Sequence, residues 1–306
     1  MGTPEFAVPT LLQLNEKYNV KAVVTVPDKP KGRGLKLLPS AVKTAALDLG
    51  LPVLQPTSLK DEQFVSAIEA IAPDIIVVIA FRILPEAVYS LAKIASFNIH
   101  GSLLPRYRGP APINHAILNG DKETGLTSFV LRKSVDTGDI LLQAKCPIAD
   151  SDTFGDLYDK MKMLAPDLAL QTVDLLNEGG YSVLTQDETL ATSAPKIFSE
   201  NCRIDWNKSA EEVKNLINGV SPTPGAWSML DTSRIKILRA EAEKSATDAG
   251  TGGNVAGSFR TDNSGFFVNC GSGRISIKEL QFPGKKAQTI KVFLNGWRGD
   301  KSGKFE

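Results

Sequence analysis

The sequence predicts an α/β chain: a mainly parallel sheet layered with helices, then a small β-rich domain. Two observations carry this. Through the first two-thirds, short Val/Ile-rich runs alternate with amphipathic stretches of helical period, the pattern of βαβ units. From residue 202 onward, short apolar runs are divided by Gly, Asn, Asp and Ser clusters, the pattern of a small partly open barrel. A third observation, 306 residues at 42% hydrophobic and 23% charged, allows two domains with real cores. Together they describe a Rossmann-like sheet domain over 1–184, a linker over 185–201 and an OB-like β-barrel domain over 202–306.

Taken in order, Glu5 to Lys17 reads as a helix and Val20 to Val26 as a strand. Helices follow over Ser40 to Leu49, where Pro39-Ser40 offers a start, and over Asp61 to Ile71 after Ser58-Leu59-Lys60. Asp74 to Ala80 and Ala95 to His100 read as buried strands, Pro110 to Asn119 as a helix, and Leu126 to Leu131 and Asp139 to Cys146 as further strands. Thr153 to Asn177 is a long helix, with apolar spacing at Leu157, Met161, Leu164, Leu168 and Val173. Thr185 to Asn201 is polar and aperiodic. Ala210 to Gly219 is a short helix, and Arg234 to Ala240, Asn254 to Arg260, Phe266 to Cys270 and Arg274 to Gln281 are short strands. The beginning departs from the pattern. A doubly wound sheet opens on a buried central strand, yet Met1-Gly2-Thr3-Pro4 leads straight into a helix. Gly2-Thr3 reads as the turn after such a strand, so the expectation is a first strand preceding Met1.

Composition removes several classes. The longest apolar run, Ile75 to Phe81, cannot span a bilayer, and no charged-then-apolar secretory signal opens the chain. Cys146, Cys202 and Cys270 are widely spaced, which suggests neither a disulfide framework nor a metal site and fits a reducing cytoplasm. No Gly-x-Gly-x-x-Gly or Walker pattern supports a nucleotide cofactor. Residues 200–306 carry 16 Lys/Arg against 12 Asp/Glu, whereas 1–199 carry 19 against 22. That asymmetry fits a polyanionic partner for the C-terminal part and fits a random surface difference equally well.

The chemistry-bearing residues gather at Phe97-Asn98-Ile99-His100-Gly101 and Val135-Asp136-Thr137-Gly138-Asp139. Residues two apart on a strand share a face, so Asn98 and His100 point the same way. An amide can hold an oxyanion, an imidazole can move a proton, and a carboxylate such as Asp136 can fix the imidazole's tautomer. Such a pair at a strand end serves structural hydrogen bonding just as readily. Leu103 and Leu104, beside Pro105, suit an apolar slot for a flat ring or a place in the core. The loop Pro27-Asp28-Lys29-Pro30-Lys31-Gly32-Arg33-Gly34-Leu35-Lys36 is basic and glycine-rich, able to neutralise phosphates or to sit solvated.

Asn98, His100, Ser102-Leu103-Leu104-Pro105 and Asp136-Thr137-Gly138-Asp139 resemble the signature of enzymes that use 10-formyltetrahydrofolate. Gly2-Thr3-Pro4-Glu5-Phe6-Ala7, the basic loop and Arg203-Ile204-Asp205-Trp206 are similar to the methionyl-tRNA branch of these formyltransferases, and the likeness covers almost the whole chain. The resemblance implies formyl transfer from 10-formyltetrahydrofolate to the α-amino group of methionyl-initiator tRNA. Asn98 would hold the oxyanion and His100, supported by Asp136, would move the proton, without a covalent acyl-enzyme and without a metal. It implies a folate site at Ser102, Leu103, Leu104, Pro105, Phe81, Ile83 and Leu84, and tRNA contacts at Lys31, Arg33, Lys36, Lys285 and Lys286. It also implies a cytoplasmic monomer with no membrane partner. Alternatives are a folate-dependent enzyme acting on a small amine such as a nucleotide-sugar, a hydrolase of the same folate, and a non-catalytic RNA-binding protein. The positive charge of Arg132-Lys133 just before Asp136 departs from the expected pattern.

Overall fold

The computed structural model describes residues 1–31, 36–243, 255–262 and 264–306. They form two compact units, one of residues 1–112, 124–146 and 158–194, the other of residues 113–123, 147–157 and 195–306.

In chain order the first part comprises α1 (Val8–Lys17), β1 (Val23–Val24), β2 (Lys29–Lys31), β3 (Lys36–Leu38), α2 (Ala41–Asp48), β4 (Val53–Leu54), α3 (Glu62–Ile71), β5 (Ile75–Ile79), α4 (Glu86–Tyr89), β6 (Ala95–His100), α5 (Pro112–Leu118), β7 (Glu123–Val130), β8 (Ile140–Pro147) and α6 (Phe154–Glu178). Two helix starts are the ones the sequence offers: Ser40 Oγ accepts from the Lys43 amide (3.0 Å) and the Asp61 carboxylate from the Gln63 amide (2.9 Å), each meeting a donor with no partner inside the helix. Helix α6 runs through Pro166 without ending.

Sheet order is β5-β6-β7-β8, with β5 parallel to β6 and β6 antiparallel to β7; β1 and β4 form a second, parallel pair. Between the two pairs lie Met1 and Gly2. Gly2 bridges Ile79 in parallel, and its amide donates to the Val24 carbonyl (3.0 Å). The core beside β1 and β5 collects Val24, Leu59, Phe64, Ile68, Ile76, Val78, Leu84 and Val88. The basic loop differs from a plain loop: β2 and β3 pair antiparallel at its two ends, with Lys31 opposite Lys36.

The second unit carries α7 (Ala210–Gly219), β9 (Ala226–Leu230), β10 (Ser233–Glu243), β11 (Ser258–Asp262), β12 (Gly265–Asn269), β13 (Arg274–Gln281), β14 (Gln288–Thr289), α8 (Ile290–Gly296) and β15 (Ser302–Lys304). Helix α7 opens on a reciprocal Ser209–Glu212 capping box. The strands make one curled antiparallel sheet, order β15-β11-β12-β13-β10-β9, with β14 beside β13. Met229 on β9 and Glu306 just past β15 exchange two backbone hydrogen bonds (3.2 and 2.9 Å), drawing the two ends of that order together. Inside the curl, Trp206, Phe259, Phe266, Phe293 and Phe305 pack as an aromatic cluster, and the Trp206 indole donates to Ser228 Oγ (2.9 Å).

Among the described residues, no helix is long and apolar enough to cross a membrane, and no group of three His, Cys, Asp or Glu side chains could hold a metal ion.

Candidate active site

Strand β6 lies between β5 and β7, with Asn98 opposite Val78 on one side and Phe129 on the other. Hydrogen-bonded neighbours on both edges hold its C-terminal end rigid, a good mount for a polar pair. Asn98 is half-buried and its amide makes no hydrogen bond to any described residue. His100 is only 6% exposed. Its Nε2 lies 2.8 Å from the Tyr107 carbonyl oxygen. A carbonyl only accepts, so Nε2 carries the proton and the neutral ring keeps its lone pair on Nδ1. That nitrogen faces Asp136 Oδ2 at 3.8 Å, beyond hydrogen-bonding reach.

Asp136 is itself held in an unusual way. It is buried with φ +56°, a left-handed conformation that Asp tolerates better than most residues. Its Oδ2 accepts from the Gly109 amide (2.9 Å). Gln186 clamps the backbone around it: the buried amide nitrogen donates to the carbonyls of Asp136 (3.0 Å) and Gly138 (2.7 Å). Gln186 Oε1 in turn accepts from Arg108 Nε (3.1 Å) and Nη2 (2.8 Å), and Arg108 also pairs with Glu188 (2.7 Å). Glu188 ends up below the usual carboxylate range, chiefly through its hydrogen bond from Arg108. Sequence reasoning missed Gln186, because an amide in an aperiodic stretch carries no signal of its own. Replacing it with Leu leaves two buried carbonyls without their donor and is expected to destabilise the protein by about 1–3 kcal/mol, read by urea unfolding.

The remaining predicted residues fall in distinct places. Ser102 is buried, its hydroxyl donating to the Arg106 carbonyl (2.6 Å). Thr127 Oγ1 ties the same turn by donating to the Ser102 carbonyl (2.7 Å) and accepting from the Leu104 amide (3.0 Å). Leu104 packs into a small core with Phe129 and Ile140, and Leu84 into the core beside β5. Leu103, Pro105 and Phe81 are half-buried, while Ile83 is 73% exposed. Arg132 pairs with Asp139 (3.0 Å), so part of the positive charge ahead of Asp136 is neutralised, and Asp139 lies below the usual carboxylate range chiefly through that bond. The backbones of Lys31 and Lys36 flank the basic turn, and Arg33 lies outside the described residues. Lys285 and Lys286 are exposed in the turn between β13 and β14.

The family model described as formyl transferase matches residues 1–173, and that described as formyl transferase, C-terminal domain, matches 196–298. The methionyl-tRNA formyltransferase of Porphyromonas gingivalis is 46% identical, over 97% of this chain and 94% of its own length. Those of Parabacteroides distasonis and Chlorobium luteolum are 43% and 41% identical over 97% of this chain and 94% and 96% of their own. Among solved structures, the sugar 3N-formyl transferase WlaRD, with dTDP and 5-N-formyl-THF, superposes with a TM-score of 0.68 at 22% identity, covering 93% of this chain and 97% of that one. HypX from Aquifex aeolicus, in complex with tetrahydrofolic acid, gives a TM-score of 0.58 at 19% identity over 82% of this chain and 43% of its own. On the extent of both family models and of these identities, the chain belongs to the methionyl-tRNA formyltransferase family.

Proposed function

We propose that this chain transfers the formyl group of 10-formyltetrahydrofolate to the α-amino group of methionyl-initiator tRNA by direct attack of the amine. The observation that carries the reading is the pairing on one strand face of an unpartnered amide, Asn98, with a histidine whose tautomer is set by Tyr107 and whose free nitrogen faces Asp136. As the amine attacks the formyl carbon, the carbonyl oxygen gains charge and Asn98 Nδ2 donates to it. His100 Nδ1 takes a proton from the amine, and the resulting imidazolium lies between the Tyr107 carbonyl and the Asp136 carboxylate, both favourable to positive charge. The bond from carbon to N10 then breaks, and the proton passes to the departing tetrahydrofolate. The formyl-THF and tetrahydrofolic acid named with the two solved neighbours support a folate donor.

In this reading Ser102 to Pro105 shape the folate site together with Phe81, Ile83 and Leu84, with Leu104 and Leu84 acting from the core. Lys31, Arg33 and Lys36 reach the acceptor stem, and Lys285 and Lys286, on an OB-like barrel, follow the tRNA backbone. The catalytic domain spans 1–184, joined by 185–201 to 202–306, and the chain works as a cytoplasmic monomer.

The test offers 10-formyltetrahydrofolate labelled in the formyl group, with charged initiator tRNA and small amines side by side. Label on methionyl-tRNA is expected; label on a nucleotide-sugar amine alone, or release as formate, would overturn the assignment. Affinity for tRNA should also fall steeply between 50 and 200 mM salt, by about tenfold or more if at least a few phosphates are neutralised. A flat response would remove the basic residues from the interface.

A further inference from the structure

The carbonyl that receives the His100 proton belongs to a residue in an uncommon conformation. Tyr107 has φ +62°, the left-handed region that so large a side chain rarely adopts, and it is buried. Such a backbone persists only where its surroundings hold it. A peptide group is planar, so its N–H and C=O point in opposite directions and fixing one aims the other. Two peptide groups meet at the Tyr107 Cα, and a single residue, Thr192, binds both. In the group before the Cα, the Tyr107 amide donates to Thr192 Oγ1 (2.8 Å), while the Arg106 carbonyl accepts from Ser102 Oγ (2.6 Å). In the group after it, the Arg108 amide donates to the Thr192 carbonyl (2.8 Å). That bond turns the Tyr107 carbonyl the other way, to His100 Nε2 (2.8 Å).

Thr192 lies 85 positions further along the chain than Tyr107, in the same compact unit. Residues 192–194 run beside 105–111 as a short brace. The Thr192 amide donates to the Pro105 carbonyl (3.3 Å), the Ala194 amide to the Arg108 carbonyl (2.7 Å) and the Ala111 amide to the Ala194 carbonyl (3.2 Å). Arg108 and Ser193 form a parallel bridge. The fit is close at Gly109, φ +124°, where a Cβ would lie 2.7 Å from the Ala194 carbonyl oxygen. Gly109 in turn gives its amide to Asp136. The brace thus supports what faces each ring nitrogen: Tyr107 at Nε2 and, through Gly109, the Asp136 carboxylate beyond Nδ1. Thr192 itself is exposed, so no core packing asks for a threonine here.

We propose that Thr192 is a positioning residue: its hydroxyl and carbonyl aim the Tyr107 carbonyl and so fix His100 in the neutral form protonated at Nε2. On the formyl-transfer reading, on which this role depends, only that tautomer leaves the Nδ1 lone pair free to take the amine's proton. Losing the hydroxyl leaves the Tyr107 amide without its acceptor and frees the left-handed residue to relax. The Tyr107 carbonyl then swings from the ring. One proton is lost at Nε2 and one gained at Nδ1, and the lone pair moves to the wrong nitrogen.

The test compares Thr192→Val, nearly the same shape without the hydroxyl, with Thr192→Ser, which keeps it. The first readout is the His100 ring, in the full chain labelled with 15N-histidine. Long-range nitrogen–proton spectra in mildly alkaline buffer distinguish the two neutral tautomers. The chain has only two histidines, so the His100→Ala chain assigns the signals. The parent and Thr192→Ser are expected to show Nε2–H alone, and Thr192→Val a clear Nδ1–H population. The His115 signals, with Nε2 at the Pro195 carbonyl, should stay in place throughout. The second readout is single-turnover formylation: kcat should fall about tenfold or more in Thr192→Val and stay within about twofold in Thr192→Ser, with KM for the folate unchanged. Valine keeps the branched shape, so Tm should remain within about 4 °C of the parent. An unchanged His100 tautomer in Thr192→Val would overturn the proposal. An equal change in Thr192→Ser would overturn it too, by making shape rather than the hydroxyl the cause. A changed tautomer with a parental rate supports the hold of Thr192 on the ring and counts instead against His100 as the base.

Discussion

Changing His100 to Ala is expected to lower kcat for formyl transfer by about 10²–10⁴-fold, the range of a positioned acid–base group. The ring is buried and oriented from both sides, by Tyr107 at Nε2 and by Asp136 facing Nδ1, so neither water nor a neighbouring side chain can take its place. The only other histidine, His115, has its Nε2 at the Pro195 carbonyl (3.0 Å). Asn98→Ala should cost about 10²–10³-fold, the loss of one oxyanion donor. Asn98→Asp should be at least as poor, because an ionised carboxylate has no proton to donate and repels the developing charge. Single-turnover formylation with saturating folate separates chemistry from binding. The same rate in His100→Ala and the parent chain would remove His100 from the proton path; the same rate in Asn98→Ala would leave the oxyanion to another donor.

The strand that carries Asn98 and His100 is legible in the sequence. The alternation of a strand places Asn98 and His100 on one face, and Ala95–His100 is the observed strand, bounded as the apolar pattern suggested. Helix starts at Ser40 and Asp61 were readable because a hydroxyl or carboxylate just ahead of an amphipathic run has one obvious task. What escaped had no local signal. The pairing of Lys29–Lys31 with Lys36–Leu38 runs through a proline and a few residues, too short for periodicity. Val20 to Val26 reads as seven strand residues, yet only Val23–Val24 is a strand, because its ladder with β4 spans just these two residues. Strand β9 begins just after Pro222 and Pro224, where prolines argue against a strand. Gln186 acts through two carbonyls distant in sequence, and Asp136's left-handed backbone is visible only once Gly109, Gln186 and Gly138 surround it.

Gly138→Ala is expected to damage both stability and turnover, because this position has no room for a side chain. A Cβ there would lie 1.7 Å from the Val130 carbonyl oxygen and 3.1 Å from the Phe129 ring. Val130 cannot retreat. It is held by the Asp139 carbonyl at its amide (3.0 Å) and sits opposite Phe97 in the ladder with the strand that carries Asn98 and His100. The loop must move instead. Its displacement pulls the Gly138 carbonyl from Gln186 and carries Asp136 away from the Gly109 amide and the imidazole. The expected loss of stability is about 3 kcal/mol, the upper part of the range for overpacking, which lowers Tm by roughly 6–12 °C in a chain of this size. Turnover in the folded fraction should fall by about 10²-fold, the cost of a misplacement near 1 Å. Gly296→Ala is the contrast: nothing lies within 4 Å of its would-be Cβ at the end of α8, so stability should be unchanged or slightly improved. Thermal unfolding and single-turnover formylation on both variants decide the matter. A Gly138→Ala chain with parental Tm and rate would show that the Asp136 loop tolerates displacement, and the histidine would then need no carboxylate held in place.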